Sequence, residues 1–314
     1  MKKSRSAGVA VDFATLNHLY TTGTPSLAAI TTPYYHNRIS GAEGWLDELA
    51  KASGNTYQPG SPQNQGGTYG GYLFDEYGLD LEQIIEKGLF GAAFYNHAFG
   101  LMQNNPTPET ADQLVCIFGA HPDFPNTDNA NKATNPDRFM AQYAARRDKN
   151  DGTGFDTQIK NAFIKLQAAE KAGDQYREEQ QEALETIRIT WEKINFATVI
   201  NYCHFTISKL SATNPTDVDK ASALHAYAEA VAFVHGWRTL PTASRRITDT
   251  QIDELLTLLR APYNDTPTAY LFLTDPVNQL PQLTQVIEKL KSIYGFSAQE
   301  IADFKENWVT KQGR

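Results

Sequence analysis

Basic clusters, cysteines and long apolar runs are all scarce in this sequence. Lys and Arg number 28 against 36 Asp and Glu, a net charge of −8, and the cations never gather beyond pairs such as Arg146-Arg147 and Arg245-Arg246. A nucleic-acid footprint needs a basic face, so nucleic acid is excluded as a partner. Two cysteines, Cys116 and Cys203, make no disulfide framework; their apolar flanks read them as buried free thiols. No apolar run approaches the roughly 20 residues that span a bilayer, so no transmembrane segment is expected. The start, "MKKSRSAGVAV", is basic, but its apolar run falls short of the about 7 to 15 residues of a signal peptide. It reads either as a cytoplasmic start or as a chain whose export signal lies outside this sequence. Missing too are a His-Glu-x-x-His motif, a Gly-x-Ser-x-Gly elbow and a phosphate-binding Gly-rich loop ahead of a helix.

What the sequence does have is helical period. Its 314 residues, 41% hydrophobic, suffice for a sizeable core. "DLEQIIEKGLFGAAFYNHAFGLMQ", residues 80 to 103, opens with Asp80 as N-cap and Gln83 three positions on. Residues 155 to 210 are helical throughout, and Leu184, Ile187, Trp191, Ile194, Thr198, Asn201 and Phe205 form one core face at spacings of three and four. Further helices fall at 218 to 238, at 248 to 260 capped by Thr248, at 280 to 294 closed by Gly295, and at 297 to 310 with a Ser297/Glu300 capping box. Residues 54 to 74, rich in Gly, Pro, Gln and Asn, read as a long loop. "RRDKNDGTGFD", residues 146 to 156, puts Gly152 at position 5 of a would-be calcium loop that needs Gly at 6, so it reads as a plain turn. With no strand alternation, the expected class is all-α.

The chain also matches itself. "EKGLFGAAFYNHAF" at 86 to 99 aligns with "EKINFATVINYCHF" at 192 to 205, sharing Glu, Lys and two Phe. "DQLVCIFGAHPDFP" at 112 to 125 lies loosely against "AEAVAFVHGWRTLP" at 228 to 241. The expectation is one domain, residues 1 to 314, of duplicated helical-bundle halves with pseudo-twofold symmetry, about 1 to 150 and 151 to 314, joined at 145 to 155.

Five segments in this order, "IIEKGLFGAAFY", "FGAHPDFP", "WEKINFATVINY", "HAYAEAVAFVHGWR" and "IYGFSAQEI", are spread over most of the chain, from residue 84 to 301. On them the sequence resembles the imelysin-like superfamily, and within it the bacterial lipoproteins catalogued as domain of unknown function 4856. The resemblance implies a pseudo-symmetric all-helical fold, a place in the periplasm or on the outer cell surface behind a lipid anchor, and a link with iron or haem uptake. The superfamily's Gly-x-His-x-x-Glu motif falls on "PETADQLVCIFG", where Thr110 replaces the histidine and Gln113 the glutamate. That departure weighs against the superfamily's proposed metallopeptidase role.

The candidate site is the pair His225 and Glu229, four apart and therefore on one helix face. Imidazole and carboxylate are the ligand types of a divalent metal, so both are candidate metal ligands. Glu192, Asp112 and Arg238 are the expected supports of a ligand-binding site between the halves, with a divalent metal or haem as cofactor. The competing reading is a buried network in which Glu229 and Glu192 are hydrogen-bonded to Trp191, Tyr202, His225 or Arg238. His97, His204 and His235 are read as satisfied core or rim histidines, and Trp191 and Trp237 as core. The function expected is a non-enzymatic, extracytoplasmic lipoprotein-type binding protein whose partner is a small ligand, a metal or a cell-surface protein. The alternatives are an imelysin-type metallopeptidase and a structural helical adaptor at the cell surface.

Overall fold

A computed structural model of the chain describes residues 1–60, 62, 65–104, 106–121 and 137–314. Regular structure among them is helical apart from one two-stranded hairpin, so the class is all-α. The chain forms two compact units that interleave in sequence. Unit 1 is Met1–Ala93, Val199–Leu240 and Ile247–Phe296; unit 2 is Phe94–Thr198, Pro241–Arg246 and Ser297–Arg314. Residues 145 to 155, read as a join between halves, lie within unit 2.

Unit 1 starts with α1 (Phe13–Thr21), α2 (Leu27–Ile30), α3 (Pro33–Ser40) and α4 (Trp45–Ala52), followed by β1 (Gly67–Tyr69), β2 (Tyr72–Phe74) and α5 (Leu81–Leu89). The hairpin corrects the reading of 54 to 74 as loop throughout. Gly67 pairs with Phe74 and Tyr69 with Tyr72 across a turn in which Gly70 and Gly71 both take positive φ, a conformation glycine adopts without steric penalty. Three-residue strands were too short to show alternation in sequence.

Unit 2 holds α6 (Asn96–Gln103), α7 (Pro108–Phe118), α8 (Phe139–Arg147) and α9 (Phe155–Ala172). It also holds the first part of α10 (Arg177–Leu210). Its core is aromatic, with Phe118 against Phe163 and edge-on to Trp191. The predicted α10 face is buried from Leu184 to Thr198, but Phe205 at its far end is 40% exposed, so the core face stops short of the period that continues it. The Asp148 carboxylate accepts from the Asn150 and Thr157 backbone N–H groups, which makes 146 to 156 a turn closed by its own side chain. The segment at 112 to 125 is described only through residue 121.

The remaining helices are α11 (Asp217–Arg238), α12 (Asp249–Leu258), α13 (Leu271–Thr274) and α14 (Pro276–Tyr294) in unit 1, then α15 (Ala298–Asp303) and α16 (Trp308–Gln312) in unit 2. Asp80, Thr248 and Ser297 cap as read, the latter two in reciprocal boxes with Gln251 and Glu300, and Gly295 closes α14 in the left-handed conformation. The two repeat copies differ in backbone: residues Phe90–Tyr95 form a π turn, whereas the matching stretch of α10 is regular α-helix.

The centre of unit 1 is the packing of α11 on α5. Glycines let the backbones meet: a Cβ on Gly236 would lie 2.2 Å from the Gly88 carbonyl oxygen, and one on Gly88 would enter the Tyr35 ring. This contact carries α11 across the unit with His225 at one end and His235 at the other.

Candidate functional site

The α-helical i, i+4 spacing does what the sequence suggested for His225 and Glu229. Nε2 of His225 lies 3.2 Å from Glu229 Oε1. The other ring nitrogen, Nδ1, lies 2.7 Å from Oδ2 of Asp80, whose Oδ1 accepts from the Gln83 N–H as the cap of α5. Tyr72 of the hairpin stacks on the imidazole at 4.2 Å between centroids, and Arg5 lies over the outer part of the stack while forking onto Glu82 at 2.8 and 3.0 Å. Burial alone would lower the His225 pKa, but the hydrogen bonds to Asp80 and Glu229 outweigh it and push it up to about 9. Burial works against ionised Glu229 as well; its bond to His225, the charge of Lys87 and the Tyr202 hydroxyl still hold it below the usual range. The group is an imidazolium between two carboxylates.

That arrangement bears directly on a metal. An imidazole binds a cation through a lone pair, and here both nitrogens carry protons directed at carboxylates. An ion enters only by displacing a proton and one carboxylate. Among the described residues no group of three or more His, Cys, Asp or Glu is arranged to hold a metal. The residues present therefore fit an ion triad better than a metal centre.

The other predicted site residues lie elsewhere. Arg238 is thirteen residues along α11 from His225, about 20 Å of helix rise, where it pairs with Asp253 at 2.8 Å and Asp249 at 3.1 Å and lies over the Tyr263 ring. Glu192 and Asp112 belong to unit 2. Glu192 is buried and accepts from the Arg246 N–H at 2.8 Å, while Asp112 is exposed and accepts from Gln167 at 2.6 Å. Only His225 and Glu229 of the five come together. Cys203 is buried as expected, its thiol pushed up to about 12 by burial, but Cys116 is exposed on α7, where one flank of its helix faces out.

A second polar group in unit 1 has the form of a ligand site. An inner cavity of about 90 Å³ opens through a shallower mouth of about 560 Å³. Asp75 and His235 line the cavity with apolar walls from Leu79, Ile84 and Val231. The Asp75 Oδ1 closes its own turn by accepting from the Tyr77 and Leu79 N–H groups at 2.9 and 2.8 Å, and Oδ2 accepts no hydrogen bond among the described residues. Burial, reinforced by Glu48 and Glu76 and opposed by those two N–H groups, pushes the Asp75 pKa up to about 8. His235 is ringed by Trp45, Tyr35, Tyr263 and Tyr34, and its buried Nδ1 has no hydrogen-bond partner among the described residues. Burial, with Arg38 and Arg238 nearby, lowers its pKa to about 3 and keeps the ring neutral. This corrects the reading of His235 as satisfied: aromatic neighbours surround the ring without offering Nδ1 a polar atom.

The mouth is aromatic and charged. Tyr34 stacks on Tyr263 at 4.5 Å, and Arg38 lies over the Trp45 ring. Neither Arg38 nor Glu48, which share this cleft, makes a hydrogen bond or ion pair with its side chain among the described residues. Sequence reasoning passed over Asp75, Glu48 and Arg38 because each is one polar residue in an ordinary helix or turn. The available signal was aromatic density beside charged residues, "PYYHNR" at 33 to 38 and "FDEYGLD" at 74 to 80.

Comparison with protein-family models, with curated proteins and with solved structures finds no match for the chain.

Proposed function

We propose that this protein is a non-enzymatic binding protein for a small ligand, and that the ligand sits in the cleft over Asp75 and His235. One observation carries the reading: the cavity is lined by two nearly buried polar side chains that each keep one hydrogen-bonding atom without a partner among the described residues. Asp75 keeps an oxygen, and His235 keeps Nδ1. Buried polar atoms are ordinarily paired, so such atoms at a cavity wall are what a ligand would satisfy. Catalysis is less well supported, because His235 is hemmed in by rings and lacks the orienting polar partner that holds a general base. In the same proposal the protein works outside the cytoplasm as a lipoprotein-type component of iron or haem uptake; the support for that setting is the resemblance to imelysin-like proteins.

Thermal-shift screening of the full chain against small metabolites, haem and divalent metals tests the site. Ligand at 100 times its Kd would stabilise the fold by about 2.7 kcal/mol. The expected result is a compound that raises Tm in wild type and loses the effect in Asp75→Asn. A screen without hits, or hits that act equally on the variant, overturns the reading.

A further inference from the structure

We infer that the cleft takes a linear aliphatic diamine, with one ammonium on Asp75 in the inner cavity, the methylenes along Leu79, Ile84 and Val231, and the second ammonium at the mouth beside Glu48 and Asp265. The inference rests on the reading of the cleft as a ligand site.

Charge is the first argument. Glu48, Asp75 and Asp265 line the cleft against Arg38 alone, so the ionised lining has a net charge of −2, which a dication cancels. His235 adds no positive charge, because its ring is neutral. A carboxylate ligand would face the like charges of Glu48 and Asp265, find one guanidinium, and gain nothing from ionising Asp75.

Size and wall chemistry are the second. The inner cavity of about 90 Å³ is smaller than the roughly 150 Å³ cavity that takes up benzene, so a slim ammonium with a short run of methylenes fits it better than a substituted ring. The apolar walls suit methylenes, and an ionised Asp75 is an acceptor only, matching an all-donor ammonium. At the mouth, the hydroxyl oxygens of Tyr34, Tyr77 and Tyr263 are acceptors for a second cation.

Proton release is the consequence that separates this ligand from others. Burial and the charges of Glu48 of α4 and Glu76 of the same turn hold Asp75 largely protonated at pH 7; Tyr57, Tyr77 and Tyr227 are the other titratable groups around it. An ammonium seated on it favours the ionised form. Binding therefore expels the Asp75 proton.

The test is calorimetric titration of the full chain at pH 7 with 1,4-diaminobutane, n-butylamine, 1,4-butanediol and adipate, each in phosphate and in Tris. The expected result is one saturable diaminobutane site, at least about tenfold tighter than butylamine, with release of about one proton per ligand. Asp75→Asn, which keeps an acceptor for the turn, is expected to weaken diaminobutane at least about tenfold and to abolish the release. Glu48→Gln weakens diaminobutane more than butylamine, narrowing the gap between the two amines, and carries the test if the Asp75 variant fails to fold. Equal affinity for the two amines, or diaminobutane binding without proton release, overturns the inference. Adipate or the diol saturating the cleft while diaminobutane does not also overturns it, but leaves the ligand-site reading standing. No binding by any probe together with a blank metabolite screen removes both.

Discussion

Two histidines ten residues apart on α11 are driven to opposite protonation states by what surrounds them. His225 meets carboxylates at both nitrogens, whereas His235 meets aromatic rings and the charges of Arg38 and Arg238. The pKa of His225 is raised from 6.5 to about 9, so its contribution to stability is fully present below 6.5 and is lost as pH rises through 9. Its size is on the order of 3 kcal/mol. Urea denaturation at pH 6, 8 and 10 is expected to show that decline in wild type and a flatter profile in His225→Ala. The variant should lose about 3 to 5 kcal/mol at pH 6, because Asp80 and Glu229 are left as buried carboxylates without their shared cation. His235 has the reverse sign: a base depressed to about 3 stays neutral in the fold while the unfolded chain takes up a proton below 6.5, so stability falls as pH drops from 6.5 toward 3. His235→Phe is expected to remove that acid-side loss, read as a higher Tm at pH 4 relative to wild type than at pH 7. Elemental analysis of protein purified without chelators is expected to find no stoichiometric metal retained through His225, since both its nitrogens are committed.

At the scale of elements, the α5–α11 contact sets the position of both histidines. Gly236 leaves no room for a side chain, with the Gly88 carbonyl 2.2 Å from where a Cβ would stand. Gly236→Ala is therefore expected to cost at least about 1 to 3 kcal/mol through overpacking, against the small gain alanine ordinarily brings to a helix interior; chemical denaturation measures it. Thr248→Ala removes the cap of α12 and should cost about 1 kcal/mol in the same assay. The caps were legible in the sequence because each is a contact within three residues. The β1–β2 hairpin was not, because its strands carry too few residues to display a period of two. The π turn at Phe90–Tyr95 was equally hidden: its residues continue the apolar pattern of the helices on either side.

At the scale of the whole molecule, the order of the chain and the grouping of its contacts differ. Unit 1 takes α5 from the first part of the sequence and α11 from the second, and Asp80 and Tyr72 reach His225 across that separation. Fragments 1 to 150 and 151 to 314, the division the internal repeat suggested, are accordingly expected to be largely unfolded when expressed singly, as judged by circular dichroism and amide dispersion. Cooperative unfolding of either fragment alone would contradict the interleaved units.

Helical class, the capped helix starts and the pairing of His225 with Glu229 were determined by the sequence itself, since all three depend on residues within a few turns of one another. The partners that decide chemistry were not. Asp80 lies 145 positions from His225, and the cavity that isolates Asp75 and His235 is assembled from four separate stretches of chain. Charge state and ligand-binding capacity follow from burial and from groups contributed by distant elements, and only the tertiary structure sets those.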